Sequence, residues 1–376
     1  MSVSGPLDPL AESAPSIASC LQRLAHEPDN PDVINALGAI LEAAGDDEKA
    51  LACFDRALQL APDAREAHWG RAKVLLRAGR LREGFAEFEW RAHARSGQGV
   101  LADVPRWDGC ALAGTLLVVA DGSVADTLQF VRYLAGVKPH VRKLVLLCQA
   151  GLGRLLAGCS EIDQVVESGP GVVANEASHA YIPLMSLPHV FGTSLESIPQ
   201  ADAYLVPPYQ RVDAWATRFA GHARQLKIGL VWAAYDEGRR DPVRSLPLRH
   251  LEALTGEPHL RLYSLQKGRA LAELVASPLS SRIENLAPAL SDFADTAAAI
   301  ANLDLVVSVD APVAHLAGAL GVKVWTVLPF SADWRWLTGR EDSPWYPSMR
   351  LMRQAAPGDW GSAAHRVTAA LCRSGG

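Results

Sequence analysis

The sequence predicts an α-helical repeat array followed by a larger α/β region built of two Rossmann-like halves. Three observations carry this. Glycine, alanine and phenylalanine recur with a 34-residue period in the N-terminal quarter of the chain. From Thr115 onward, apolar runs of strand length alternate with helix-type segments. That alternation pauses over Ala220–Gln225 and restarts at Lys227, as two successive parallel β/α blocks would.

The repeat is clearest over Pro31–Asp63. Leu37, Gly38 and Leu41 share one helix, while Ala50, Phe54 and Ala57 lie on the next and Pro62 stands just past its end. Small residues at Gly38 and Ala50 let the helices approach, Phe54 fills the space between them, and Pro62 stops the second helix. A second unit keeps the register: Gly79 stands one period after Gly45, Phe88 one period after Phe54, and Ala72 replaces Gly38. Pro28 precedes Pro62 by the same step, so Ser16–His26 reads as the second helix of an incomplete first unit. The pattern is close to the tetratricopeptide (TPR) repeat. So few units cannot bury a solenoid core alone, and the array is expected to lean on the α/β region. Ser96–Asp108 reads as the joint, with Trp107 as its packing anchor.

In the α/β region, Thr115–Ala120, Lys143–Leu147 and Asp163–Glu167 are predicted strands, and Asp126–Leu134 and Leu152–Leu156 helical segments. Tyr181–Gly192 contains proline and reads as irregular. After the break, Lys227–Trp232, Arg261–Leu265, Leu303–Val309 and Val322–Leu328 read as strands. Leu248–Thr255, Asp292–Ala301 and Val313–Leu320 read as helices. The expected domains are residues 1–108, 109–222 and 223–376.

Composition narrows the function classes. The chain has 376 residues, 49% of them hydrophobic and 20% charged, which is globular. Its formal net charge of −5 argues against a nucleic-acid partner. Cys20, Cys53, Cys110, Cys148, Cys159 and Cys372 form no CxxC pair or zinc-spaced cluster, so no metal site is expected and the thiols suit a reducing compartment. Met1–Leu10 has neither a basic nor an apolar signal region, and the longest apolar runs are strand-sized. The expected location is cytoplasmic, without a membrane span.

Ligands of open parallel sheets bind beyond the carboxyl ends of the strands, so the strand-end loops are the candidate site. Asp126, after the first strand, is either a general base for an acceptor hydroxyl or a helix N-cap. Arg239, Arg240 and Arg244 come after the strand ending at Trp232; they could clamp a diphosphate or form a solvated loop. Lys267 is either a point charge on a phosphate or a surface lysine. The loop Asp310-Ala311-Pro312 opens a helix whose amides at Val313, Ala314 and His315 suit an anion. His315 either contacts that anion or packs in the core.

At these residues the sequence resembles bacterial proteins that join TPR repeats to a GT-B glycosyltransferase domain, related to heptosyltransferases and more remotely to O-GlcNAc transferases. The resemblance spans nearly the whole chain. It is carried by Glu89-Trp90-Arg91, Asp126–Leu134, Pro183–Pro188, Ile228–Trp232, Arg244-Ser245, Ser264–Gly268, Asp292–Thr296, Ser308–Asp310, Val313–Gly318 and Asp342–Pro347. It implies a metal-independent transferase without a cofactor, using a nucleotide-diphosphate sugar as donor, with a protein or peptide partner recruited by the repeats. Asp126 then matches the proposed base, and Lys267 and the Asp310–His315 loop match positions near the donor diphosphate. The sequence departs from the family at Asp121–Ala125, where relatives carry Glu-Gln-Gly-Leu-Gly, and at Ala234-Tyr235-Asp236, where they carry Gly-Asn-Pro and a His. It departs again at Asp310-Ala311-Pro312, where they carry Asp-Thr-Ala. These departures fit an altered donor, and they fit a catalytically degenerate scaffold.

Overall fold

A computed structural model of the chain describes residues 16–94, 104–169, 178–199, 202–236 and 238–373. Most of the predicted joint lies outside these residues. The chain forms two compact units, residues 1–95 and 96–376.

Among its described residues the first unit contains five α-helices: α1 (Ile17–His26), α2 (Pro31–Ala43), α3 (Asp47–Leu60), α4 (Arg65–Arg77) and α5 (Leu81–Phe88). Local chemistry sets several of the starts. Ser16 caps α1, Asn30 Oδ1 accepts from the amides of Asp32 and Val33 ahead of α2, and Asp46 caps α3. Gly45 and Gly79 end α2 and α4 at φ +83° and +79°, conformations that glycine adopts at no steric cost. Phe54 is buried between helices, and a Cβ at Gly38 would lie 2.8 Å from its ring. Charge also ties the repeats together: buried Arg77 donates to Asp47 and Glu42, and Lys73 reaches Glu42 at 2.5 Å.

The second unit holds two parallel sheets. The first contains β1 (Leu112–Val119), β2 (Val141–Cys148), β3 (Gln164–Glu167) and β4 (Ala180–Pro183), in the order β3-β2-β1-β4. Trp107 packs beside this sheet: its amide donates to Tyr181 O, its indole donates to Cys110 O at 2.7 Å, and its ring lies against Phe191. The second half begins with β5 (Leu226–Val231) and a short hairpin, β6 (Ala234–Asp236) and β7 (Arg239–Asp241). Next come β8 (Leu260–Ser264), β9 (Ile283–Asn285), β10 (Leu305–Val309), β11 (Val324–Leu328) and β12 (Met349–Arg353). The sheet order is β12-β11-β10-β5-β8-β9. Every residue of β10 is buried, as a central parallel strand requires.

Several predicted boundaries move. The helix expected at Asp126–Leu134 runs from Val124 to Phe130 and continues as short helical turns. Tyr181–Gly192, expected to be irregular, supplies β4 and two short helical turns, because Tyr181 and Ile182 pair with Leu117 and Val118. The sequence pattern does not reveal β6, β7, β9 or β12.

The two halves meet where the helix Val124–Phe130 packs on the helix Pro312–Ala319. The intervening segment joins both: Tyr204 N and Leu205 N donate to Ala319 O, and the Tyr204 hydroxyl donates to Leu128 O at 2.8 Å. Arg132 is buried at this junction. It donates to Trp345 O and Tyr204 Oη and lies over the Tyr204 and Tyr346 rings, 4.5 and 4.8 Å from their centroids. At a second point Arg154 grips Asp292 bidentately, at 2.6 and 2.8 Å. Among the described residues no helix is long and apolar enough to cross a membrane.

Candidate active site

Asp126 sits at the carboxyl end of β1, and a capping box sets its position. Ser123 is the N-cap. Its Oγ accepts from Asp126 N at 3.3 Å, while Asp126 Oδ2 accepts from Ser123 N and Oγ at 2.6 and 2.8 Å. The helix N-cap is therefore Ser123, and Asp126 occupies the third helical position. Gly122 makes the tight loop possible: a Cβ there would come within 2.7 Å of Asp126 Cβ. Gln149 pins the same loop, donating to Gly122 O at 2.7 Å and accepting from Thr127 Oγ1 at 2.8 Å.

The other Asp126 oxygen, Oδ1, is ion-paired with Arg335 of the second half. Arg335 lies in the loop after β11, where Asp333 Oδ1 accepts from both its backbone amide and its Nη1, at 3.1 and 2.7 Å. Its Nε donates to Gln129 Oε1 at 2.8 Å, and the guanidinium lies 4.4 Å from the Trp334 ring centroid. Only 14% and 12% of the Asp126 and Arg335 side chains are exposed, so the pair is largely screened from water. Burial works against the Arg335 charge, but Asp333 and Asp126 outweigh it and hold the guanidinium firmly protonated.

On the second half, Asp310 and His315 are enclosed. His315 Nε2 faces Asp310 Oδ1 at 3.7 Å, and Nδ1 shares a 2.9 Å hydrogen bond with the Tyr346 hydroxyl. Burial disfavours the Asp310 charge, yet the facing imidazole holds its carboxyl below the usual carboxylate range. Ala311 stands at the N-cap of the helix Pro312–Ala319 without a side-chain cap, and Val313 and Ala314 occupy its first turn.

Lys267 and Arg244 lie on neighbouring loops. Lys267 Nζ donates to Leu290 O at 2.6 Å, and Arg244 Nε donates to Asp241 Oδ2 at 2.6 Å. The strand-end amides of Trp232 and Ala233 donate to Gln266 Oε1, and Ala234 N donates to Ser245 Oγ. Tyr235 reaches over this turn, its hydroxyl accepting from Ala270 N. An open groove of about 720 Å³ lies beside the β6–β7 hairpin, lined by Arg240, Ser245, Arg249, Glu252, Glu273 and Ser277. Asp126, Lys267, Asp310 and His315 are outside its lining.

The structure thus joins Asp126 to the second half through Arg335, a residue outside the motifs read from the sequence. A signal for it exists: Arg335 lies in the loop after β11, the same kind of strand-end loop as the four candidate loops.

Comparison with known proteins agrees with this organisation. Residues 31–64 match the tetratricopeptide repeat family, and residues 260–339 match glycosyltransferase family 9 (heptosyltransferase). The second match includes Lys267, Asp310, His315 and Arg335. The chain is 25% identical to Protein FlbA of Caulobacter vibrioides, in an alignment covering 96% of this chain and 72% of that protein. Its fold is similar to a glycosyl transferase family 9 structure from Veillonella parvula. That likeness has a TM-score of 0.52 at 10% identity, covering 71% of this chain and 99% of the other. ADP-heptose lipopolysaccharide heptosyltransferase II of Escherichia coli aligns with a TM-score of 0.49 at 13% identity, over 70% of this chain and all of its own.

Proposed function

We propose, for a chain that joins a tetratricopeptide repeat to a glycosyltransferase family 9 segment on a GT-B-like fold, that it transfers a sugar from a nucleotide-diphosphate donor to an acceptor recruited by the repeats. The observation that carries this reading is the meeting of the Asp126 helix with the helix that begins at the Asp310–His315 loop. That contact, with the Asp126–Arg335 ion pair, supports reading the carboxylate of one half and the Asp310–His315 loop of the other as parts of one site.

These assignments define the reaction. The acceptor hydroxyl attacks the anomeric carbon, and Asp126 takes its proton as the new glycosidic bond forms. The bond from the anomeric carbon to the diphosphate oxygen breaks, and the nucleoside diphosphate leaves. Its charge is met by the backbone amide of Val313, by the helix dipole, and by Lys267 and Arg244, the Ala314 amide already donating to Ala311 O at 2.9 Å. No step calls for a metal or cofactor. The repeats select a protein or peptide acceptor and carry no chemistry.

A second reading has its own observation. The amides at the end of β5 already donate to Gln266 and Ser245, and Tyr235 closes over the adjoining turn. Such self-satisfied loops suit a degenerate transferase that serves as a scaffold. One experiment separates the two. The chain is incubated with a panel of nucleotide sugars and candidate acceptor proteins, and released nucleoside diphosphate and acceptor mass are monitored. Transfer from one donor supports the enzyme; partner binding without transfer from any donor supports the scaffold.

A further inference from the structure

The loop after β11 is built to hold one side chain. Leu337 adopts φ +51°, a left-handed conformation that a branched side chain rarely takes. Half-buried Arg353 holds it there, donating from Nη2 to the carbonyls of both Trp336 and Leu337. Asp333 fixes the start of the turn through the Arg335 amide. Strain of this kind persists where the surroundings over-determine it, and it gathers at ligand clamps. Here its product is the placement of Arg335 at the carboxyl end of the second sheet, in contact with the first half.

The partners Arg335 meets there are chemically informative. Its guanidinium covers Asp126 Oδ1, while Ser123 holds Oδ2. Both oxygens of that carboxylate are thus engaged. Arg335 also feels the charge of Asp310, in the loop after the neighbouring strand β10 of the same half. A diphosphate entering between these groups meets two carboxylates and needs a cation from the same place. Beside Arg335, the fully buried Gln129 gives its Oε1 to the guanidinium, and its Nε2 has no hydrogen-bond partner among the described residues. A buried amide donor without an acceptor calls for an oxygen-rich group within reach.

We infer that Arg335 is a diphosphate-binding residue that exchanges between two anions, the Asp126 carboxylate and the donor diphosphate. A guanidinium N–H donates to carboxylate and phosphate oxygens alike, so the single Nη2 bond now accepted by Asp126 Oδ1 can pass to a phosphate oxygen while Nε and Nη1 keep Gln129 and Asp333. The diphosphate carries the greater charge and draws Arg335 away from Asp126. The donor's arrival thereby uncovers the base, and donor binding precedes productive acceptor binding. The inference rests on the donor reading above and adds to it a residue and an order of events.

The test is calorimetry on the full chain with adenosine, guanosine, uridine, cytidine and thymidine diphosphates and inorganic pyrophosphate. Arg335→Gln should weaken the best ligand about tenfold or more, through loss of charge-assisted hydrogen bonds. Arg335→Lys should recover part of that loss, since it keeps the charge but not the fork. Asp126→Asn should bind more tightly than wild type, because it removes the competing anion. If Arg335→Gln fails to fold, the Lys and Asp126→Asn arms decide. Unchanged affinity in the Arg335 variants overturns the inference and leaves the donor reading standing, as does Asp126→Asn binding no more tightly than wild type. Failure of both wild type and Asp126→Asn to bind any probe overturns both. The expected affinity pattern without sugar transfer in a parallel assay keeps the Arg335 site and removes the transferase reading.

Discussion

The carboxylate of Asp126 and the guanidinium of Arg335, 209 positions apart in the chain, form an ion pair that bridges the two Rossmann-like halves. Each partner is set from its own side, Asp126 by the Ser123 capping box and Arg335 by Asp333 and Gln129. The pair couples the geometry of the candidate base to that of the candidate donor loop.

That coupling is measurable as stability. Asp126→Asn and Arg335→Gln each leave a largely buried partner short of one charge, and each should destabilise the chain by about 1–3 kcal/mol. Because the two residues share the lost interaction, the double variant should cost less than the sum of the singles. Denaturant unfolding of the four proteins checks this, and strictly additive losses would refute the contact.

Asp126→Asn also tests catalysis. The amide can keep the bond from Ser123 N and preserve the helix start, but it cannot accept the acceptor proton. Turnover should fall by about 10²–10⁴-fold. Steady-state transfer by folded wild type and variant, matched by circular dichroism, gives the ratio. A variant that retains most of the activity assigns the base to another residue.

Acid should loosen the contact between the halves. The Arg154 hydrogen bonds hold the Asp292 carboxyl below the usual carboxylate range. Asp310 is held low in the same direction, by the His315 imidazole against the opposing effect of burial. A carboxyl whose folded value lies below its unfolded value contributes stability above the unfolded value, about 3.9 for Asp, and loses it as pH falls through the folded value. Stability should therefore hold from pH 7 to about 5 and decline below about 4. Asp292→Asn should show a shallower decline in urea titrations across that range. An unchanged profile would mean that Arg154 contributes nothing at this contact.

The repeat unit makes an independent prediction. Phe54 is buried against Gly38 and Gly70. Phe54→Ala should cost about 3–5 kcal/mol, and the cost should appear in the unfolding of residues 1–95. Hydrogen exchange resolves that unit from the rest, and protection lost equally in β10 would contradict it.

Much of this architecture is legible because local chemistry writes it into short windows. Gly45 and Gly79 mark equivalent turns one period apart, and both adopt positive φ. The valine-rich run Leu305–Val309 reads as a buried parallel strand and is one. The elements hidden from sequence lack such windows. β12 carries Arg350 and Arg353 within five residues, the β6–β7 hairpin is short and charged, and β4 ends at Pro183. Tyr209–Phe219 lies near the boundary in sequence but packs on Phe293–Ile300 of the second half. At the site, Asp126 is readable from its place after a strand. Its partner is not, because nothing within one window relates positions 126 and 335; only the packed halves do.

The most direct test of the transferase assignment is equilibrium titration of the full chain with nucleoside diphosphates, with transfer from the cognate nucleotide sugar measured on the same preparation. Saturable binding of one nucleoside diphosphate is expected, weakened about tenfold or more by Arg335→Gln. Sugar transfer is expected as well, reduced about 10²–10⁴-fold in Asp126→Asn while that variant still binds the nucleotide. A chain that binds none of the nucleoside diphosphates and transfers no sugar, although folded, would contradict the assignment.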